Sequence, residues 1–202
     1  MKRSTAVRNL AEVASTATSS ARLRDADIGW PLRELWVSGQ LLESADILEW
    51  GSVILVLDLP AAGLPWLVQP PALDWVRERL RLGKRPLEWC YRPREWPAWN
   101  PRHRRVARFW TERDGVDDTA LDALHRGEVD QLDVQAPTDD EFRTQLTEEL
   151  GCSWDHLRAV LDSYWEQDWR RAQHSLETSP EEQLWRGAEA VSQIREALDR
   201  LS

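Results

Sequence analysis

Hydrophobic and polar positions in the first half of the chain follow both helical and strand-like patterns. From Val7 to Ala21, apolar residues recur every three or four positions, which predicts a helix with one narrow apolar stripe. Residues 34–38 and 52–59 have the length of strands, and the second run is so uniformly apolar that it predicts a central strand buried on both faces. The other elements predicted here are a helix through residues 73–80, stopped by Gly83, and strands at 86–91 and 106–111.

The second half is helical in pattern. A helix ends at Gly127, and residues 138–141 form a capping box for the next helix, which Gly151 is predicted to stop. Ser153 can cap a further helix, and residues 179–182 form a second capping box ahead of the last one.

This order of elements predicts an α+β protein, in which a small mixed sheet precedes a C-terminal helical bundle. We place the division between residues 115 and 116, so that 1–115 form an α/β domain and 116–202 a helical bundle domain. Short links between the last three helices favour an antiparallel arrangement.

Composition and charge restrict the classes of function. The 202 residues carry a net charge of -9, which argues against general affinity for nucleic acids or membranes. Arg8 and Glu12 interrupt the N-terminal segment, so no secretory signal is expected. Two widely spaced cysteines, Cys90 and Cys152, suggest free thiols and a cytoplasmic location. The strong preference for arginine over lysine suggests a bacterial source with a GC-rich genome.

The charge is unevenly distributed. Residues 74–108 carry eleven basic and four acidic side chains (net +7), whereas residues 112–202 carry nine basic and 23 acidic ones (net -14). Within the basic region, tryptophans and arginines are interspersed from Trp89 to Trp110. Such a segment can stack bases and neutralise phosphates, or its arginines can dock on the acidic helices of the same molecule, which we favour. The candidate ligand-binding residues are Gly39, Arg92, Arg94, Trp96, Trp99, Arg102, Arg104 and Arg105.

Thirteen tryptophans make this a tryptophan-rich chain. Trp154, Trp165 and Trp169 have helical spacing and are predicted to be core residues, whereas Trp66 and Trp96, beside prolines, are predicted to be exposed. The histidines lack the spacing of zinc ligands, so no metal site is predicted from them: His103, His125, His156 and His174.

A strand, the turn at Gly39, an acidic loop and a second strand at residues 52–58 resemble the start of the nucleotidyltransferase fold, over residues 35–91. In that family, carboxylates hold two Mg²⁺ ions at the triphosphate. The resemblance implies that Glu49 is the first carboxylate and Glu88 the distal one, but Gly51 stands where the second is expected and Gln40 where Ser or Gly is usual.

The missing carboxylate predicts a non-catalytic binding or regulatory protein that needs no cofactor. Its cleft between sheet and bundle, edged by Gly39, Glu49, Glu88 and the arginine–tryptophan segment, would receive an anionic small molecule or a segment of a protein partner. The alternative is an active Mg²⁺-dependent nucleotidyltransferase using Glu49, Asp58 and Glu88. A second alternative is an oligomeric interaction protein, in which surplus tryptophan surface forms the subunit contact.

The whole chain also resembles an uncharacterised family of actinobacterial proteins, and this resemblance implies no activity. It rests on the phrases VLDLP at 56–60, WPAWN at 96–100, RFW at 108–110, YWEQDWRR at 164–171 and PEEQLWRGA at 180–188.

Overall fold

The computed structural model describes residues 1–22, 32–69, 72–175 and 179–201, so the predicted break at residues 28–31 lies outside the described residues. The helices are α1 (Arg3–Arg22), α2 (Ala72–Arg79), α3 (Asp118–Arg126), α4 (Asp139–Ser163), α5 (Gln167–Ser175) and α6 (Pro180–Asp199). The strands are β1 (Leu32–Ser38), β2 (Gly51–Leu57), β3 (Leu87–Pro93), β4 (Val106–Thr111), β5 (Gly115–Val116) and β6 (Val134–Gln135).

The strands form one mixed sheet in the order β3-β2-β1-β4, and both β5 and β6 pair with the outer edge of β4. Only β2 and β3 are parallel, while all the other pairs are antiparallel. Every residue of β2 except Ser52 is buried. The predictions of an α+β protein, a mixed sheet and a central, doubly buried strand are therefore confirmed.

Helices cover both faces of the sheet because its strands alternate their side chains between two apolar cores. On one face, Leu35 and Leu55 pack with residues of α1, α2 and α3, for example Leu10 and Leu124. On the other face, Ile54 and its neighbours contact the segment after β3, and α4 and α6 form a separate layer above.

Residues beyond the predicted domain boundary return to the sheet. Leu121 and Leu124 of α3 belong to the core that also contains β1 and β2. Val134 of β6 pairs with Ala107 of β4. The packing therefore changes from sheet to helical layer at the start of α4. The division into two domains between residues 115 and 116 remains a prediction.

Helix α4 continues through Gly151, so the predicted helix end there is wrong. A glycine that ends a helix has a positive φ, as Gly127 does at +71° after α3. Gly151 lies between Leu146 and Leu157, both buried in the helical layer. Their packing outweighs the roughly 1 kcal/mol that glycine costs inside a helix. Ser153, predicted to be a cap, is buried in the middle of α4.

Helices α4 and α6 are antiparallel. The first two of the three helices predicted to be antiparallel are instead one continuous helix, α4. Near the start of α4, Arg143 Nη2 donates a hydrogen bond to the carbonyl oxygen of Leu201, 2.8 Å away, just beyond α6. Just past the other end of α4, the Tyr164 hydroxyl lies 3.2 Å from a carboxylate oxygen of Glu181 in the first turn of α6. The capping box at Thr138 and Glu141 is present, and Ser179 Oγ accepts from the backbone N–H of Glu182.

Arg3, at the beginning of α1, contacts two segments that are distant in the sequence: the loop after β1 and the end of α3. Its guanidinium is buried and donates to the carbonyl oxygens of Leu41 at 3.1 Å, Ala45 at 2.8 Å and Leu124 at 3.2 Å. Burial lowers the pKa of Arg3, while the negative charges of Asp46 and Glu43 oppose this shift. One side chain thus satisfies backbone acceptors of the loop after β1 and of the end of α3.

In the described part of the chain, no helix is long and apolar enough to cross a membrane.

We expect Gly151→Ala to raise the free energy of unfolding by about 0.5–1 kcal/mol, because alanine favours helix and restricts the unfolded chain. A Cβ added at Gly151 would have no atom within 4 Å. Urea unfolding would measure the change. In the matched control, Gly127→Ala should destabilise the protein, since φ there is +71°. A loss of stability in Gly151→Ala would contradict the continuous α4.

Candidate functional site

The three candidate carboxylates lie at two ends of the sheet. Glu49 is exposed just before β2, and Glu88 is exposed opposite Ser52 near the start of the parallel pair β2–β3. Asp58 follows the far end of β2. Glu88 pairs with Ser52, and Asp58 follows Ser52 by six residues along the chain. At about 3.3 Å per strand residue, roughly 20 Å separates Asp58 from the position of Glu88 along the strands. The structure therefore groups Glu49 with Glu88 but not with Asp58.

Asp58 is bonded to arginine. Arg33 donates to its Oδ2 from two guanidinium nitrogens, with Nε at 3.1 Å, and Arg94 Nη1 lies 3.9 Å from its Oδ1. The hydrogen bond from Arg33 is the main cause of the lowered pKa of Asp58. Among the residues with described coordinates, no group of three or more His, Cys, Asp or Glu side chains could hold a metal ion.

Gly39 lies in a polar cluster at the Glu88 end of the sheet. Its φ is +62°, and a Cβ built there would approach His103 Cε1 to 3.3 Å and Ser52 Oγ to 3.6 Å. The side chain of Gln40 accepts from the backbone N–H of Glu49 at 2.6 Å. Gly39, Glu49 and Glu88 are thus brought to one region, together with His103, which the sequence pattern did not identify as a neighbour.

The central contact of the arginine–tryptophan segment is a buried ion pair between Arg92 of β3 and Glu149 of α4. Arg92 Nη1 and Nη2 donate to the two carboxylate oxygens of Glu149 at 2.7 and 2.6 Å, and the two side chains are 1% and 0% exposed. Arg92 Nε donates to the carbonyl oxygen of Pro97, and Gln145 donates to Glu149. This bidentate pair fixes the helical layer to the sheet.

Two more arginines of this segment contact the helical layer. Arg102 Nε donates to Gln193 Oε1 of α6 at 2.9 Å. Arg104 Nη2 donates to Asp139 at 2.7 Å, and its guanidinium carbon lies 4.7 Å from the ring centroid of Phe142. These contacts are the intramolecular docking that the charge distribution favours, whereas the side chains of Arg94 and Arg105 are exposed.

Tryptophan exposure is the reverse of the sequence prediction. Trp66 and Trp96, predicted to be exposed, are only 1% and 5% accessible. Trp66 lies beneath α6, where its Nε1 donates to Gln193, and Trp96 lies 5.3 Å from the guanidinium carbon of Arg92. Trp154 and Trp165, predicted to be core residues, are 38% and 82% exposed. Trp169 is intermediate.

A second apolar stripe runs along the exposed side of α4. Trp154 and Leu161 are seven residues apart, which places them on one face of α4, and Trp165 lies in the turn just after α4 ends at Ser163. We call these three residues the α4 stripe. Leu161 is 50% exposed, and the neighbouring side chains that are both exposed and acidic are Asp155, Asp162 and Glu166.

Two grooves lined by described residues border the helical layer. The larger one, about 740 Å³, lies where the sheet meets α4, and its lining includes Trp99, Asp140 and Glu141. We call it the Trp99 groove. The smaller one, about 340 Å³, lies between α4, α5 and α6 and is lined in part by His156 and Trp169. We call it the His156 groove.

Comparisons with known proteins identify a family for the chain. The family model for a domain of unknown function, DUF7711, matches residues 1–200, which agrees with the predicted likeness to an uncharacterised family. No curated protein and no solved structure matches the chain, so the likeness to nucleotidyltransferases is not confirmed.

We expect Glu149→Ala and Arg92→Ala each to destabilise the protein by about 3–5 kcal/mol, because each leaves a buried charge without its partner. The double variant should lose much less stability than the sum of the two single losses, as measured by urea unfolding. As a control, Arg171→Ala removes an exposed ion pair with Asp168 and should have little effect. Additive losses at Arg92 and Glu149 would contradict a coupled pair.

Proposed function

The chain belongs to the DUF7711 family, and we propose that this member is a non-catalytic binding protein that docks a basic segment of a protein partner. The observation that carries the proposal is the exposed α4 stripe of Trp154, Leu161 and Trp165. Two free cysteines support a reducing, cytoplasmic setting for this role.

The α4 stripe has the composition of a binding surface. Tryptophan is enriched among the residues that contribute most to protein association, because it buries a large area at little entropic cost. Trp165 is 82% exposed and Leu161 is 50% exposed. Leu161 shares one face of α4 with Trp154, and Trp165 follows in the turn after the helix. Aligned apolar side chains on one face suit an amphipathic partner segment, which would cover them with its own apolar face.

The charge around the α4 stripe favours a basic partner. Asp155, Asp162 and Glu166 are exposed beside it. Arg158, whose Nη1 lies 3.8 Å from Asp155, offsets one of these charges, so the surroundings of the stripe stay net negative. A symmetric contact with a second copy would place these acidic groups near one another, which opposes self-association. An anionic ligand is also disfavoured, because Arg92 and Arg104 are bonded to carboxylates of the same molecule.

In this proposal the nucleotidyltransferase-like segment, residues 35–91, serves as a scaffold. Glu49 and Glu88 lie at one end of the sheet, and Asp58 lies at the other in contact with Arg33. Two Mg²⁺ ions need shared bridging carboxylates close to the phosphates, and this separation removes one of them.

Calorimetry with Mg·ATP and Mg·GTP tests the scaffold role against the transferase alternative. We expect no saturable heat at millimolar nucleotide, because the third candidate carboxylate, Asp58, lies at the opposite end of the sheet from Glu49 and Glu88. Tight, Mg²⁺-dependent binding that Glu49→Ala or Glu88→Ala abolishes would establish the alternative and refute the non-catalytic proposal.

A pair of synthetic peptides tests the docking surface itself. One is an amphipathic helix of leucine and lysine, and the other has the same leucine pattern with glutamate in place of lysine. The protein should bind the basic peptide at least about tenfold more tightly than the acidic one, and added salt should weaken the binding. Isothermal titration calorimetry gives both affinities.

Variants locate the binding. The triple variant Trp154→Gln, Leu161→Gln and Trp165→Gln should bind the basic peptide at least about tenfold more weakly, which corresponds to losing 1.4 kcal/mol or more. Trp50→Gln is the matched control, since Trp50 is 54% exposed outside the helical layer. Equal affinity for the two peptides, or an unaffected triple variant, would refute the proposal. A dimer in light scattering that the triple variant abolishes would identify a second copy as the partner instead.

A further inference from the structure

A cluster of four side chains holds the turn between α4 and α5, where the α4 stripe ends. Its members are Tyr164, Trp165, Arg170 and Glu181. Arg170 lies in α5, and Glu181 lies in the first turn of α6. The helices α4, α5 and α6 therefore meet beside Trp165, the most exposed residue of the stripe.

Trp165 lacks the support that a helix gives to the other two residues of the stripe. Trp154 and Leu161 lie within α4, so the hydrogen-bonded backbone fixes the direction of each side chain. Trp165 follows the helix and packs edge-to-face against Tyr164, with ring centroids 5.1 Å apart and ring planes at 89°. The place of the Trp165 indole therefore depends on what holds the ring of Tyr164.

Arg170 contacts Tyr164 through both its backbone and its ring. Arg170 Nη1 donates to the carbonyl oxygen of Tyr164 at 3.3 Å, and the carbonyl groups at the end of a helix need such a partner. The guanidinium carbon lies 5.3 Å from the centroid of the Tyr164 ring, within the range of a cation–π contact. The negative end of the α4 dipole also favours a cation here. Arg170 thus restrains the main chain and the side chain of Tyr164 together.

Glu181 completes the cluster from α6. Its Oε1 accepts from Arg170 Nη2 at 3.2 Å and from the Tyr164 hydroxyl at 3.2 Å. The hydrogen bond to its own backbone, followed by the contacts with Arg170 and Tyr164, lowers the pKa of Glu181, so the carboxylate is ionised at neutral pH. Because one oxygen accepts from both side chains, it holds the guanidinium and the tyrosine ring in one arrangement.

From these contacts we infer that Arg170 is a positioning residue of the docking surface: it holds Tyr164, and through Tyr164 it orients the Trp165 indole. This role rests on the proposed docking of a basic segment at the α4 stripe. A side chain that is already ordered loses less conformational entropy when a partner covers it, so Arg170 should strengthen binding without touching the partner. Its own charge is matched by Glu181 and does not oppose a basic segment.

The order of the Trp165 side chain tests this role without any partner. In the ¹⁵N-labelled full chain, the indole N–H signal that is missing from Trp165→Gln identifies Trp165. Its heteronuclear NOE should fall in Arg170→Ala, because the indole then moves more widely on the ps–ns timescale. The NOE should stay unchanged in Arg171→Ala, the matched control, since Arg171 contacts Asp168 and Gln167 instead.

Binding of the basic leucine–lysine peptide tests the consequence for docking. Arg170→Ala and Trp165→Gln should each weaken the binding at least about fivefold. Removing a positive charge by itself favours a basic peptide, as Arg171→Ala will measure, so a weaker affinity in Arg170→Ala reports lost order. Added to Trp165→Gln, Arg170→Ala should cause no further loss, whereas added to Trp154→Gln it should cause its full loss.

Circular dichroism verifies that each variant is folded, and two milder variants perturb the same contacts. Arg170→Lys keeps a cation but lacks the planar fork, so its NOE and affinity should lie between those of Arg170→Ala and the unmodified chain. Glu181→Gln keeps the size of the side chain but removes its charge, and it should lower the Trp165 NOE as well. These two variants carry both tests if Arg170→Ala does not fold.

A Trp165 NOE that is the same in Arg170→Ala and in the unmodified chain would overturn the positioning role. So would a loss of affinity from Arg170→Ala that is equally large with and without Trp165. If the unmodified chain does not bind the peptide, the proposed docking function has failed, and the NOE alone then decides whether Arg170 orients Trp165.

Discussion

The ion pair between Arg92 and Glu149 is the constraint on which the arrangement of the two layers depends. Neither charge reaches water, so each is tolerable only while the other stays within hydrogen-bonding distance. Because the contact is bidentate, it restricts orientation as well as separation. A helix that shifted by even one turn along the sheet would leave both groups buried and unpaired. The layer of α4 and α6 therefore has one stable position over β3.

The same constraint determines what remains available at the surface. The positive charge concentrated before residue 108 is partly neutralised inside the molecule, by contacts such as those of Arg92 and Arg104 with α4. The helical layer then presents its remaining acids and its tryptophans to the solvent. A chain whose middle region suggests a phosphate-binding groove instead offers an acidic, aromatic outer surface. The proposed docking surface, the α4 stripe, belongs to this layer.

Features with local physical causes were predictable from the sequence. The unbroken apolar run of β2 could only suit a strand covered on both faces, and the capping box at Thr138 was read correctly because it involves neighbouring residues. Features set by distant packing were not. Gly151 looks like a helix end until the burial of Leu146 and Leu157 is known.

The candidate site shows the same limit. Helical spacing predicted Trp154 and Trp165 on one buried helix face, but α4 ends before Trp165 and both side chains are exposed. The prolines beside Trp66 did not reveal that α6 lies above it. Arg92 and Glu149 are 57 positions apart, so their pairing has no local signal. The charge imbalance between the two regions was the one property that anticipated it.

The contacts of Arg3 have a consequence for the order in which this protein matures during synthesis. Arg3 is synthesised before one of its acceptors, Leu124, which follows 121 positions later along the chain. Until then, the apolar stripe of α1 has no complete surface to cover it, since Leu121 and Leu124 belong to that surface. Such late closure of sequence-distant contacts slows folding. The nascent chain must therefore carry an exposed amphipathic helix until α3 has been made, and transiently exposed apolar surface of this kind favours aggregation.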